Sequence, residues 1–340
     1  MELREAIARC IDRQDLSAEE MTEVMRTIMT GGAFPTQIAG FLVALRMKGE
    51  TVPEIAAAAA VMRELATGVD VQGIDFLVDI VGTGGDASGT FNVSTTAMFV
   101  AAAAGCHVAK HGNRSVSSKS GAADVLEAAG VRLNLAADQV ARCVREVGVG
   151  FMFAPGHHSA MKHAIGPRRE LGVRTIFNVL GPLTNPAGVP NQVLGVFSES
   201  LVQPLAEVLQ RLGSRHVLVV HARDGLDEIS IGAETEVAEL REGVIQRYQI
   251  APESFGLARA PLDAIRVQDP GESLAMLRDV LANRPGPPRD IVLLNAGAAI
   301  YAAGRASSMA EGVTLADAAI ASGEAERRLE RLVALTSALP

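Results

Sequence analysis

The sequence predicts an α/β protein in which a small N-terminal helical domain precedes a large α/β domain with a mainly parallel central sheet. Residues 1–67 carry helical apolar periodicity with capping signals and no strand-like run. From residue 75 the texture changes to short continuous apolar runs separated by helical stretches, the pattern of strands buried on both faces. Size agrees, because 340 residues with 48% hydrophobic and 21% charged content can build a large core divided into two lobes. The boundary is placed between a helical domain at 1–70 and an α/β domain at 71–340.

The elements follow in order. In "SAEEMTEVMRTIMTGG", Ser17 and Glu20 have capping-box spacing, Met21, Val24, Met25, Ile28 and Met29 share one face, and Gly31 supplies a stop. Such a methionine stripe reads as core or as a subunit interface. "TQIAGFLVALRMKG" places Ile38, Phe41, Leu42 and Leu45 at helical spacing and ends at Gly49, after which Thr51 and Glu54 offer a second capping box before "IAAAAAVMRELATG". "FLVDIV", "CHVAK", "QVLGVF", "HVLVV" and "DIVLLN" read as buried strands. "TEVAELREGVIQRYQI" reads as an antiparallel excursion turning at Glu242 and Gly243, and "LGPLTNPAGVPNQ" and "RPGPP" as surface turns.

Composition excludes several classes. With 31 basic against 39 acidic residues the formal charge is −8, which repels nucleic acid and anionic membrane unless positive residues cluster locally. Cys10, Cys106 and Cys143 are widely spaced and form no CxxC pair, so neither a disulfide framework nor a zinc knuckle is indicated. "MELREAIARC" is charged and helical, and the longest apolar run, "TAMFVAAAAG", is too short to span a bilayer, so a cytoplasmic location is expected.

The chemistry begins at "DIVGTGGDASGTFNVST". Gly82, Gly84, Gly85 and Gly89 follow an apolar strand and precede the helix "TTAMFVAAAAG", where Asn92, Ser94 and Thr95 can cap the helix or reach a ligand. Glycine-exposed amides next to a helix N-terminus form an anion site that needs few side-chain charges. Gly84 and Gly89 have Walker spacing, but Thr90 and Phe91 stand where Lys and Ser/Thr belong. The third glycine position of a dinucleotide fingerprint is Ala87.

One βα unit later, "AKHGNRSVSSKSG" interleaves Lys110, His111, Arg114 and Lys119 with Gly112, Asn113, Ser115, Ser117 and Ser118, a local basic patch in an acidic chain suited to phosphate. In "HARDGLDEIS", Asp227 and Glu228 are adjacent hard-oxygen donors behind Gly225, of the kind that suits Mg²⁺ held partly by phosphate oxygens. His157, His158 and His163 lack HExxH spacing and have no carboxylate among them, which argues against zinc. Arg168, Arg169 and Arg174 follow, and one guanidinium near the cradle would give a second anion handle.

Taken together, "GTGGD", "NVST", "KHGNR", "RRELGVRTIFNVLGPLTNP" and "DGLDE", in this order and at these separations, closely resemble the anthranilate phosphoribosyltransferase family. The likeness covers nearly the whole chain, including "IMTGGAFPTQIAGFLVALRMKGET" and "NAGAAIYAAG". It implies the nucleoside phosphorylase and phosphoribosyltransferase type of fold, with helices from around 165 to 185 completing the helical domain, the active site at the hinge, and a homodimer through the helical domain. It also implies transfer of the phosphoribosyl group from 5-phosphoribosyl 1-diphosphate (PRPP) to anthranilate with Mg²⁺, two ions being expected. Neither nucleic acid nor membrane is an expected partner. A pyrimidine-nucleoside phosphorylase and a non-catalytic nucleic-acid-binding relative are the alternatives; "DGLDE" speaks against the first and the charge against the second.

Carried over position by position, the resemblance gives PRPP to Gly82, Gly85, Asp86, Thr90, Asn92, Val93, Ser94 and Thr95, and to the segment Lys110, His111, Gly112, Asn113, Arg114, Ser115, Val116, Ser117 and Ser118. It gives anthranilate to Gly82, Asn113 and Arg168, metal to Ser94, Asp227 and Glu228, and catalysis to Lys110, Asp227 and Glu228. His157, His158 and His163 are implied to line the aromatic acid's route. The family usually has Ser or Thr where this chain has Ala122, and many members have Ala where it has Ser115.

Overall fold

The computed structural model describes residues 1–115 and 119–340. The chain opens with α1 (Leu3–Ile11), α2 (Ala18–Met29), α3 (Pro35–Lys48) and α4 (Val52–Glu64). Both capping boxes form. Ser17 N donates to Glu20 Oε2 at 2.8 Å and Thr51 N donates to Glu54 Oε2 at 2.8 Å. Glu54 is fully buried and also accepts from Leu16 N and Lys48 Nζ, each at 2.9 Å, so one carboxylate joins α3, α4 and the α1–α2 connection. The methionine stripe of α2 is core, packed with Ile38, Phe41, Leu42 and Leu45 of α3.

The remaining elements are β1 (Leu77–Gly82), α5 (Val93–Ala103), β2 (His107–Gly112), α6 (Ala122–Ala128), α7 (Ala137–Val147), β3 (Val149–Phe153), α8 (Ala154–His157), α9 (Lys162–Leu171), α10 (Phe177–Leu183), β4 (Asn191–Gly195), α11 (Val202–Arg211), β5 (His216–Ala222), β6 (Thr235–Arg241), β7 (Val244–Ile250), α12 (Pro270–Leu281), α13 (Pro287–Ala302), α14 (Met309–Ala321) and α15 (Glu324–Ala338). The strands form one sheet in the order β3-β2-β1-β4-β5-β6-β7. Its first five strands are parallel and the last two antiparallel. Glu242 and Gly243, which turn the β6–β7 hairpin, have φ of 52° and 77°, the left-handed pair that matches strand twist in a two-residue turn.

Continuous apolar strands are needed because both faces are covered. On β5, Leu218 and Val220 join the core built on α5 and α13, while Val217 and Val219 face the cluster that includes α11 and the helical lobe. That second cluster also takes in Ala164, Phe177, Leu180 and Leu183 of α9 and α10.

Three readings need correction. "LGPLTNPAGVPNQ" is not a surface turn: its first four residues lie in α10, its last two in β4, and most of the stretch is buried, with Asn185 held by Asp79 and the Ala109 carbonyl. "DIVLLN" lies inside α13, not in a strand; Pro287 and Pro288 open this helix and its apolar run continues through buried "AGAAI", so the whole circumference is core. "VGFMF" forms β3, which carried no sequence assignment.

Candidate active site

The sheet order reverses direction at β1, with β2 on one side and β4 on the other, and ligands collect in the crevice beyond the strand ends at such a switch point. Here Gly82 at the end of β1 pairs in register with Gly195 at the end of β4. The Asp227 carboxylate packs against this gap: a Cβ on Gly82 would stand 2.6 Å from Asp227 Oδ2, and one on Gly195 would collide with the Asp227 backbone oxygen. Asp227 Oδ2 accepts the Gly84 amide at 2.7 Å, tying the DGLDE segment to the glycine loop.

Carboxylates outnumber cations at this point. Asp227 is buried, and burial together with the neighbouring Asp86 and Glu228 carboxylates pushes it well above the usual carboxylate range. Glu228 is pushed up to about 7 by burial, against the pull of Lys110 and of hydrogen bonds from Ser94. Its Oε1 accepts the Ser94 amide at 3.2 Å. Lys110 is buried, donates from Nζ to Ser94 Oγ at 3.2 Å and to the Ile80 carbonyl, and has its ammonium lowered by burial while Asp79, Glu228 and Asp227 hold it up.

Among the described residues no three His, Cys, Asp or Glu side chains converge as a closed metal cage. This donor set fits Mg²⁺ nonetheless, because that ion takes one or two carboxylates and completes its octahedron with water and phosphate oxygens. Burial and mutual repulsion disfavour ionising Asp227 and Glu228 together, and a divalent cation beside them would favour their ionised forms.

The other expected PRPP residues fall around the same strand ends. Asn92 precedes α5 without capping it; its Oδ1 accepts Ser120 Oγ and Ser273 Oγ, each at 2.7 Å, and its Nδ2 donates to the Ser120 carbonyl at 3.2 Å. Val93, Ser94 and Thr95 lie in the first turn of α5, Val93 and Thr95 are buried, and Thr95 Oγ1 is without a hydrogen-bond partner among the described residues. Thr90 Oγ1 lies 3.2 Å from Ser88 Oγ, and Asp86 Oδ1 accepts Ser88 N at 3.1 Å.

Gly112 ends β2 with no room for a side chain, since its Cβ would stand 2.8 Å from Phe151. The loop that follows is held by Asp124, whose Oδ2 accepts Ser115 N at 3.1 Å and Gly121 N at 2.9 Å. Asn113 turns its Oδ1 to the Arg114 amide, and the Arg114 guanidinium is engaged by Asp124 and Glu127 at 3.1 and 2.8 Å. Val116, Ser117 and Ser118 lie outside the described residues.

On the helical side, Arg168 occupies the last turn of α9 with its guanidinium 5.0 Å over the Phe177 ring. It has no carboxylate partner among the described residues, and burial lowers it. The His111 and His158 rings meet at a tilt of 59°, with their centroids 5.0 Å apart. Burial lowers them to about 3 and about 4, so both are neutral at pH 7, and the Nε2 atom of each is buried without a hydrogen-bond partner among the described residues. His111 Nδ1 lies 3.2 Å from the Gly181 carbonyl of α10. Of the other two histidines expected on the route, His157 is buried beside this pair and bonds the Thr67 carbonyl at 2.9 Å, and His163 packs against Gly31.

Sequence reasoning missed Asp79 and Asn185. Asn185 Nδ2 donates to Asp79 Oδ2 at 2.7 Å and to the Ala109 carbonyl at 2.9 Å, joining β1, β2 and the segment after α10 beneath the site. The only signal was an acid inside the apolar run "FLVDIV".

Comparison with known proteins decides the lineage. The model of the glycosyl transferase family, a/b domain, matches residues 75–326, and that of the glycosyl transferase family, helical bundle domain, matches residues 4–66. An anthranilate phosphoribosyltransferase of Thioalkalivibrio sulfidiphilus is 66% identical over 99% of both chains. The chain belongs to the anthranilate phosphoribosyltransferase family. The crystal structure of the family member from Thermus thermophilus superposes with a TM-score of 0.93 at 49% identity, covering 98% of this chain and 99% of that one. The Saccharomyces cerevisiae anthranilate phosphoribosyltransferase in complex with PRPP and Mg superposes at 0.90, with 29% identity over 99% of this chain and 98% of its own.

Proposed function

We propose that this protein transfers the phosphoribosyl group of PRPP to the amino group of anthranilate, giving N-(5-phosphoribosyl)anthranilate and diphosphate, in tryptophan biosynthesis. The observation that carries the reading is the juxtaposition of Lys110, Ser94, Glu228 and Asp227 on the glycine loop at the switch point of the sheet.

In the reaction the bond from the ribose anomeric carbon to the diphosphate oxygen breaks with its electron pair leaving on diphosphate. The amine lone pair forms the new C–N bond, and the proton shed by nitrogen passes to solvent or to the departing diphosphate. The glycine-loop amides and the start of α5 bind the phosphates, and Lys110 meets the negative charge that grows on the leaving group. Mg²⁺, two ions in our reading, would be held by Asp227, Glu228 and Ser94 and would supply further positive charge to diphosphate when bound. Arg168 would take the anthranilate carboxylate, its planar fork having no carboxylate partner among the described residues, with Gly82 and Asn113 beside the ring. The aromatic amine is neutral at pH 7, so orientation matters more than a strong base, and neutral His111 and His158 suit an aromatic neighbour.

In the same reading the chain divides at residues 70 and 71, with helices around 165–185 completing the helical domain. A cytoplasmic homodimer forms through that domain, which exposes Ile11, Phe34 and Met47 at 67, 71 and 72%. The test is to mix protein, PRPP, Mg²⁺ and anthranilate and follow the loss of anthranilate fluorescence. Consumption that needs all three supports the reading; PRPP use with nucleobases but never with anthranilate overturns it.

A further inference from the structure

Arg174 is an exposed cation with no carboxylate partner among the described residues, yet it is held on two sides. Its guanidinium lies 4.1 Å over the Phe197 ring, and Nη2 donates to the Gly85 carbonyl. Phe197 is itself tied to the glycine loop, its amide donating to Thr83 Oγ1 at 3.0 Å. Arg174 belongs to the short connection between α9 and α10. At one end the Gly172 amide bonds the Arg168 carbonyl at 3.3 Å; at the other Ile176 is buried in the helical-lobe cluster. One side chain thus links the segment that carries Arg168 to the loop built for phosphate.

The direction of the Gly85 carbonyl has a chemical consequence. In a trans peptide the C=O and the next N–H point to opposite sides, so fixing the Gly85 oxygen on Arg174 aims the Asp86 amide away from it. Among the described residues that amide has no protein acceptor. Gly84 and Gly85 have φ of 67° and 78°, so this turn is open to glycine and strained for other residues. A peptide between glycine and its neighbour flips readily unless something holds its oxygen.

We propose that Arg174 is a positioning residue that couples the two substrate sites, aiming the Asp86 amide at the diphosphate when the Arg168 segment is seated. This rests on the proposed function. Seating anthranilate on Arg168 orders the α9–α10 connection, and Arg174 passes that order to the glycine loop. By reciprocity, PRPP tightens the anthranilate site by the same factor.

The test is calorimetric titration of PRPP with Mg²⁺ into the full-length protein, with and without benzoate, a carboxylate lacking the reacting amine. In the unaltered protein benzoate is expected to tighten PRPP binding at least about fivefold. In Arg174→Ala this ratio falls to one. Arg174→Gln, too short to span Phe197 and Gly85, loses the ratio as well and carries the test where the alanine variant does not fold. A ratio of one in the unaltered protein, or an unchanged ratio in a folded variant, overturns the proposal; a lowered melting midpoint with an unchanged ratio leaves Arg174 a merely structural role. Turnover of anthranilate and PRPP by the unaltered protein is measured alongside. Its absence overturns the proposed function, whereas turnover with unchanged coupling overturns only the role of Arg174.

Discussion

Glu228→Gln is expected to stabilise the ligand-free protein at neutral and alkaline pH while abolishing its response to Mg²⁺. Glu228 is pushed from an ordinary 4.5 up to about 7, so the folded protein holds a proton that the unfolded chain releases. A group raised on folding contributes its full stability below its unfolded value and loses it as pH rises through its folded value. The loss sets in above 4.5 and is complete a little above 7. At 1.36 kcal/mol per decade of affinity, the displacement amounts to ~3 kcal/mol at most, or a few degrees in melting midpoint. The neutral amide carries no such loss.

The assay is thermal melting of both proteins at about pH 5 and about pH 8, with and without Mg²⁺, where linkage sets the sign of each shift. Without the ion, the variant should melt close to the parent in acid and above it in alkali. Mg²⁺ should raise the parent's midpoint far more at the higher pH, because only the ionised carboxylate attracts it. Parallel melting curves at both pH values, or an equal response of both proteins to Mg²⁺, would refute the reasoning.

Arg168→Ala should raise the KM for anthranilate by ~1.5–3 kcal/mol, the worth of a charge-assisted bond, and leave that for PRPP nearly unchanged; equal effects in steady-state assays would count against a carboxylate handle. Gly82→Ala drives a methyl to 2.6 Å from Asp227 Oδ2 and should lower kcat/KM at least about tenfold with a drop in melting midpoint, whereas parent-like kinetics would show that Asp227 can move aside. Ala122→Ser, at the partly buried start of α6, should lower the KM for PRPP by restoring a hydroxyl common in the family; an unchanged KM removes that contact from the account. Phe34→Glu combined with Met47→Glu should shift sedimentation from dimer to monomer, and an unshifted dimer would place the interface elsewhere.

Local signals were the legible part of the sequence. Ser17 with Glu20, Thr51 with Glu54, and the Glu242–Gly243 turn each depend on residues only a few positions apart, and each stands as read. "DIVLLN" misled because a continuous apolar run is shared by buried strands and by helices buried all round; the proline pair before it was the better guide. Asn92 looked like a cap, but Ser120 and Ser273 claim its carbonyl oxygen.

At the site, the glycines, Lys110 and the Asp227–Glu228 pair could be recognised by residue type. Their convergence could not, because it depends on strand order and on the close approach that Gly82 and Gly195 allow. Arg174 on Gly85 and Asn185 on Asp79 join positions 89 and 106 residues apart, beyond the reach of any spacing rule.

The central claim is that the glycine loop, Lys110 and the Asp227–Glu228 pair together form one site for a Mg²⁺-bound diphosphate. Calorimetric titration of PRPP into the parent protein and into Asp227→Ala, each with and without Mg²⁺, addresses it directly. Tight binding in the parent that needs Mg²⁺, and that Asp227→Ala weakens only when Mg²⁺ is present, is the predicted result. Equal affinity for PRPP with and without Mg²⁺, or an Asp227→Ala protein that binds as the parent does, would contradict it.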